Sequence, residues 1–146
     1  MPRTYLRTLA LFYLGFGLIT SFYPRLMQLF MTQQGIDASS AFSDQVWFHG
    51  GFDILSICIL LFAFSTMPAT KTSLRAAATV ALFPSVAIAY TFVATPFWSA
   101  LFLLPGAASF AFAVFGFAIA HRFEDHAGSQ RGRPGSSFSS ESKPTE

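Results

Sequence analysis

The chain has 146 residues, 53% hydrophobic and only 11% charged, with a mean hydropathy of +0.50. That composition excludes an ordinary soluble domain, in which about a quarter of residues are charged. A net charge of +2, with no basic cluster interleaved with aromatics, gives no indication of nucleic acid.

A helix needs about 20 mostly apolar residues to cross the hydrocarbon core of a bilayer. Four stretches meet this length: 4–22, 46–64, 74–93 and 97–120. They predict an all-α fold, a four-transmembrane-helix bundle over 1–123 with a tail over 124–146. Arg3 and Arg7 ahead of the first span resemble the start of a signal peptide. The segment Thr20-Ser21-Phe22-Tyr23-Pro24-Arg25 lacks a small-x-small cleavage pattern, so an uncleaved span is expected.

Pro24 suits the first turn of a new helix. Beyond it, Leu26, Met27, Phe30 and Met31 recur at spacings of three and four, while Gln28, Gln33 and Gln34 are polar. Residues 24–34 are therefore predicted to form a short amphipathic helix in the membrane interface, stopped at Gly35. The other reading is a first span that runs on to about Met31. A polar loop over 36–43 should follow, with Ser43 or Asp44 capping the second span.

The second span carries Cys58, the only cysteine, which can form no intramolecular disulfide and reads as a small buried hydrophobe. The third contains Pro84 and the fourth Pro105-Gly106, and both helices should bend there. The short Ala94-Thr95-Pro96 connection makes these two spans an antiparallel hairpin. Small residues four apart, Ala77 and Ala81, Ala107 and Ala111, Gly116 and Ala120, suit the close helix approach that holds bundles together in lipid. Phe110, Phe112, Phe115 and Phe117 cover more than one helix face, so some must face lipid. From Glu124 the Ser, Gly and Pro content predicts a disordered tail. His121, Arg122, Glu124, Asp125 and His126 read as a solvated helix end, without a metal-site pattern.

Eight of the nine Lys and Arg residues fall on one side of this layout, and Arg25 alone falls on the other. The positive-inside rule then puts both termini in the cytoplasm. Trp47 and Trp98 come to the outer boundary, where an aromatic belt belongs.

His49 and Asp53, at i and i+4 near the start of the second span, share one helix face. Asp53 lies on the order of 10 Å below the outer surface, where an ionised carboxylate is costly unless it is paired or turned inward. It is expected to face the bundle interior. Arg25, Thr20, Ser21, Tyr90, Thr91 and Ser99 come to the same depth as candidate partners. His49, Asp53, Arg25, Tyr90 and Thr91 are thus the candidate ligand-binding residues, and Gly50-Gly51 between the first two admits a close backbone or ligand. Equally, His49 and Asp53 could serve only as a structural pair. There is no Gly-rich phosphate loop, nucleophile elbow, HExxH or CxxC. No catalytic residue, cofactor or metal is therefore assigned.

The layout combines a first span ending in Pro24, an external amphipathic stretch, a span opening with Phe48-His49-Gly50-Gly51, and a Pro-containing hairpin. In this it resembles the small four-helix DoxX-like bacterial membrane proteins, over residues 4–122. The resemblance implies a multi-pass protein of the bacterial plasma (inner) membrane, in a family with some links to quinone redox chemistry. Three readings follow. One is a binding protein for a small lipid-like or quinone-like ligand in an outward-facing polar pocket. Another is an enzyme or redox component using His49 and Asp53 as an acid–base pair. The third is a small transporter or structural subunit. The expected partners are the lipid bilayer and a small apolar ligand; a homo-oligomer is allowed and nucleic acid is not expected.

Overall fold

The computed structural model describes residues 1–39 and 41–131, apart from the side chains of 41–44 and 124–131. Among the described residues there are five helices, α1 (Pro2–Phe22), α2 (Gln33–Ala38), α3 (Ala41–Thr66), α4 (Lys71–Ala94) and α5 (Leu103–Arg131), with 3-10 segments at Pro24–Phe30 between α1 and α2 and at Ala100–Phe102 between α4 and α5. Four of them, α1, α3, α4 and α5, are long and apolar enough to span a membrane. The chain is a multi-pass, all-α membrane protein with the four spans expected. Its last helix runs further than expected, through 124–131, and the remainder of the predicted tail, 132–146, lies outside the described residues.

Local chemistry sets the helix ends. Tyr23 leaves the helical region, with φ −131° and ψ 53°, because the proline that follows disfavours it there. A short helix follows the first span as expected, but it is a seven-residue 3-10 segment ending at Phe30, after which Met31 is extended and α2 begins at Gln33, so 24–34 is not one continuous helix. Gly35 does not stop a helix but lies within α2, whose first turn is capped by the Thr32 hydroxyl accepting from the Gly35 N–H at 3.2 Å. A side chain at Gly35 would collide with the Phe97 carbonyl oxygen. Close approach of two connections, not chain reversal, is what requires glycine here. The expected loop over 36–43 is largely helical, and α3 starts at Ala41, so Ser43 and Asp44 lie inside it rather than capping it.

Those two connections zip together at one end of the bundle. The Thr32 N–H donates to the Phe97 carbonyl at 2.8 Å, and the Ser99 N–H donates to the Phe30 carbonyl at 2.8 Å. The Thr32 hydroxyl adds a bond to the Pro96 carbonyl at 3.0 Å, and the Ser99 hydroxyl one to the Phe30 carbonyl at 3.0 Å. Trp47 meets Trp98 edge-on at 5.6 Å, and Trp98 stacks on Phe102 at 4.0 Å. The two tryptophans assigned to one boundary thus share it, in contact. At the other end, a capping box at Thr70 and Ser73 opens α4.

Backbone approach is closest within two pairs, α1 with α3 and α4 with α5. The expected hairpin of the last two spans is the second pair. Its seam is made of small residues, though not all of those expected. Ala77, Ala81, Gly116 and Ala120 are buried, whereas Ala107 and Ala111 face outward. The buried α5 positions are Gly106, Ser109, Ala113, Gly116 and Ala120. Pro105 falls in the first turn of α5, where a missing N–H costs nothing, so it opens the helix rather than bending it. Side chains join the pairs: Tyr5, Leu6, Leu9 and Tyr13 of α1 meet Cys58 and Leu61 of α3 and the small residues of α4 and α5. Cys58 is buried there as expected.

Candidate functional site

The level of His49 and Asp53 is shaped by how α1 crosses α3. A Cβ at Gly17 would lie 3.0 Å from Leu55, and one at Gly51 would strike the Thr20 hydroxyl and, at 2.6 Å, the Ser21 amide nitrogen. Glycine at 51 lets the two backbones meet, as small residues do in membrane helix pairs. Gly50 faces open space, with nothing within 4 Å of its missing Cβ. Of the Gly50-Gly51 pair, then, one serves packing.

With Gly51 against α1, residues 49 and 53 must turn away from it on a helix of 3.6 residues per turn. Both His49 and Asp53 are exposed on the outer face of α3. The expectation that Asp53 faces the bundle interior is not met, because the inner face is claimed by the glycine crossing. Among the described residues no hydrogen bond or ion pair joins the two; His49 instead touches the Phe48 ring at 5.7 Å. Arg25 is exposed on the 3-10 segment. Tyr90 is 73% exposed on α4, and the half-buried Thr91 donates its hydroxyl to the Ala87 carbonyl of its own helix at 2.8 Å. Thr20 and Ser21 are buried at the crossing, and Ser99 is used in the zip between the two connections. Among the described residues, no hydrogen bond or ion pair joins any two of the five candidates His49, Asp53, Arg25, Tyr90 and Thr91.

Among the described residues, three cavities lie elsewhere and have none of the five candidates on their linings. The first, about 360 Å³, is a groove between α4 and α5 lined by Ser85, Ile88, Ala89, Gly106, Ala107 and Phe110 among others. It is apolar, since the Ser85 hydroxyl is occupied by the Leu82 carbonyl at 2.6 Å. The second, about 380 Å³, lies between Met1, Pro2 and the stretch of α5 from Phe115 to Phe123, with Arg122 on its lining. The third, about 40 Å³, is enclosed by Tyr13, Ser109, Pro84, Pro105 and neighbours. The Tyr13 hydroxyl there is buried near Ser109 but makes no hydrogen bond of good geometry, and the Ser21 hydroxyl at the α1–α3 crossing is buried without a partner.

Sequence reasoning passed over Tyr5 and Tyr13. Tyr5 is 3% exposed and donates its hydroxyl to the Phe112 carbonyl at 3.0 Å, with its ring in the space left by Gly116. Aromatic residues at i and i+8 in an apolar span carry no signal that separates an inner from a lipid-facing position. Among the described residues no group of three His, Cys, Asp or Glu side chains could hold a metal ion. No family model, curated protein or solved structure matches the chain.

Proposed function

We propose that the protein binds a small lipid-like molecule within the membrane, with the apolar part of the ligand in the groove between α4 and α5. The observation that carries this reading is the groove itself: about 360 Å³ of almost wholly apolar space, kept open by Gly106, Ala107 and Ala89. Ligand sites of this size fall at the low end of the usual 300–1,000 Å³ or so and are mostly apolar. A quinone-like headgroup is compatible with the space; a polar pocket around His49 and Asp53 is not part of the proposal. The acid–base reading needs His49 and Asp53 to act on one substrate, and their lack of a mutual hydrogen bond gives it no support.

The test uses stearic acid carrying a photoreactive diazirine, added to the protein in lipid vesicles. Labelling should concentrate at Leu103, Ala107 and Phe110 over the more exposed Ile59 and Leu60 of α3, and an Ala107→Phe variant should lose most of it. Uniform labelling of all lipid-facing positions would refute the proposal.

The same proposal extends to the setting: a DoxX-like protein of the bacterial inner membrane with both termini in the cytoplasm. A reporter active only in the cytoplasm should be active after Glu146 and silent after Ser39. The reverse pattern would overturn the orientation.

A further inference from the structure

Helix α3 is the least covered span, with 17% of its apolar window buried against 44% for α1. Its outer face bears His49 and Asp53. Val46, His49, Asp53, Ser56, Leu60 and Ala63 follow one another at spacings of three, four, three, four and three, and all six are exposed. Asp53 sits about 12 Å along the helix from Gln45, the first residue of the span. A carboxylate facing hydrocarbon at that depth carries a substantial insertion cost, and such residues almost always turn to a bundle interior or a partner.

The bundle offers no interior to Asp53, because Gly51 and Cys58 hold the opposite face of α3 inward. Alternating spacings of three and four form the seam of two parallel helices, in which each knob enters a hole made by four residues of the facing helix. For a knob at Asp53, that hole consists of positions 49, 52, 53 and 56 of the other copy. It supplies an imidazole able to donate to a carboxylate, a Ser56 hydroxyl that must leave its bond to the Phe52 carbonyl to do so, and a second Asp53 whose charge the two imidazoles must also offset. Ser56 and Ala63 are small enough for close approach. The face therefore carries both halves of its own complement.

We infer that the protein forms a parallel homodimer through the outer face of α3, with Asp53 of each copy bonded to His49 and Ser56 of the other. The occupant is a second copy because the chemistry Asp53 lacks is present on the same face, one helical turn to either side. A polar pair at seam positions also fixes register, as buried polar residues do in other two-stranded assemblies. This inference does not depend on the groove between α4 and α5, which lies on other helices.

The full chain in lipid vesicles tests it, with Cys58 left in place because it is buried. Single cysteines at 49, 53, 56, 60 and 63 should form intermolecular disulfides under mild oxidation. Cysteines at 83 and 86, on exposed α4 positions, should not. Asp53→His should weaken association by about tenfold, the scale of one or two interhelical hydrogen bonds in lipid. The swap His49→Asp with Asp53→His should restore it, read by energy transfer between labelled copies at varied protein-to-lipid ratio. A parent chain that stays monomeric at every ratio, or cross-links without the three–four periodicity, overturns the dimer. A swap that fails to restore association while the cross-links persist overturns the His49–Asp53 pairing.

Discussion

Helices α1 and α3 lie against each other, and although α1 exposes Thr4 and Thr8 and α3 buries Ser65, several of their other polar residues are placed in opposite ways. On α1, Tyr5, Tyr13, Thr20 and Ser21 are buried; on α3, His49, Asp53 and Ser56 are exposed. In water this contrast would run against the hydrophobic effect, but in lipid the outside is as apolar as the inside. What remains to sort residues is size and the supply of hydrogen-bond partners. Helix carbonyls have spare acceptor capacity, so a hydroxyl within reach of one can be satisfied, as at Thr20 and Tyr5 though not at Tyr13 and Ser21. Thr20 donates to the Phe16 carbonyl at 3.0 Å, and Tyr5 reaches Phe112 on α5. A carboxylate needs donors, and the N–H groups of a helix interior are already spent. Small hydroxyls therefore fit at the tight crossing, while Asp53 is left for something outside the single chain to satisfy.

The strongest way to break this contrast is to remove its steric origin. Gly51→Leu should destabilise the detergent-solubilised protein by about 3 kcal/mol or more, because the new side chain meets the Ser21 backbone. Gly50→Leu, one residue away in open space, should be near neutral or slightly stabilising through helix propensity. Thermal unfolding of the two variants measures the difference, and equal losses would remove the crossing from the account.

The two tyrosines sharpen it further. Tyr5→Phe deletes a bond to Phe112 and should cost about 1 kcal/mol. Tyr13→Phe removes a buried hydroxyl without a hydrogen bond of good geometry, so stability should hold or rise. Denaturation of both variants under one condition compares them; a larger loss at Tyr13 would mean that its hydroxyl is bonded. The smallest effect is expected at Ser56→Ala. Its hydroxyl donates to the Phe52 carbonyl of its own helix at 3.0 Å, a back-bond that adds little. The melting profile at low protein-to-lipid ratio should change by under about 0.5 kcal/mol. A greater loss under those dilute conditions would place Ser56 in a contact within the single chain.

Much of the fold was legible because its signals are local. Pro24 ended the first span as expected, and the short connection around Thr95 made the last two spans a hairpin. The errors fell where a residue's role came from a distant neighbour. Gly35 resembled a helix stop but is small because Phe97 passes over it. Ala107 and Ala111 had the spacing of a packing seam, while the buried seam runs through Gly106, Ser109 and Ala113. The expectation for Asp53 failed for the same reason. Its place along α3 was readable, but rotation about the helix axis, which leaves His49 and Asp53 exposed, was not.

The sequence by itself determined the solvent, the number and order of the spans, and the end of the bundle at which Trp47 and Trp98 meet. Those follow from segment length and hydropathy, which belong to each stretch alone. Only the tertiary structure decided which face of each helix turns inward. A helix that is apolar all round carries no periodicity to mark its buried side. In α3 that choice was made by Gly51 meeting Ser21 on another helix, and it left Asp53 pointing outward.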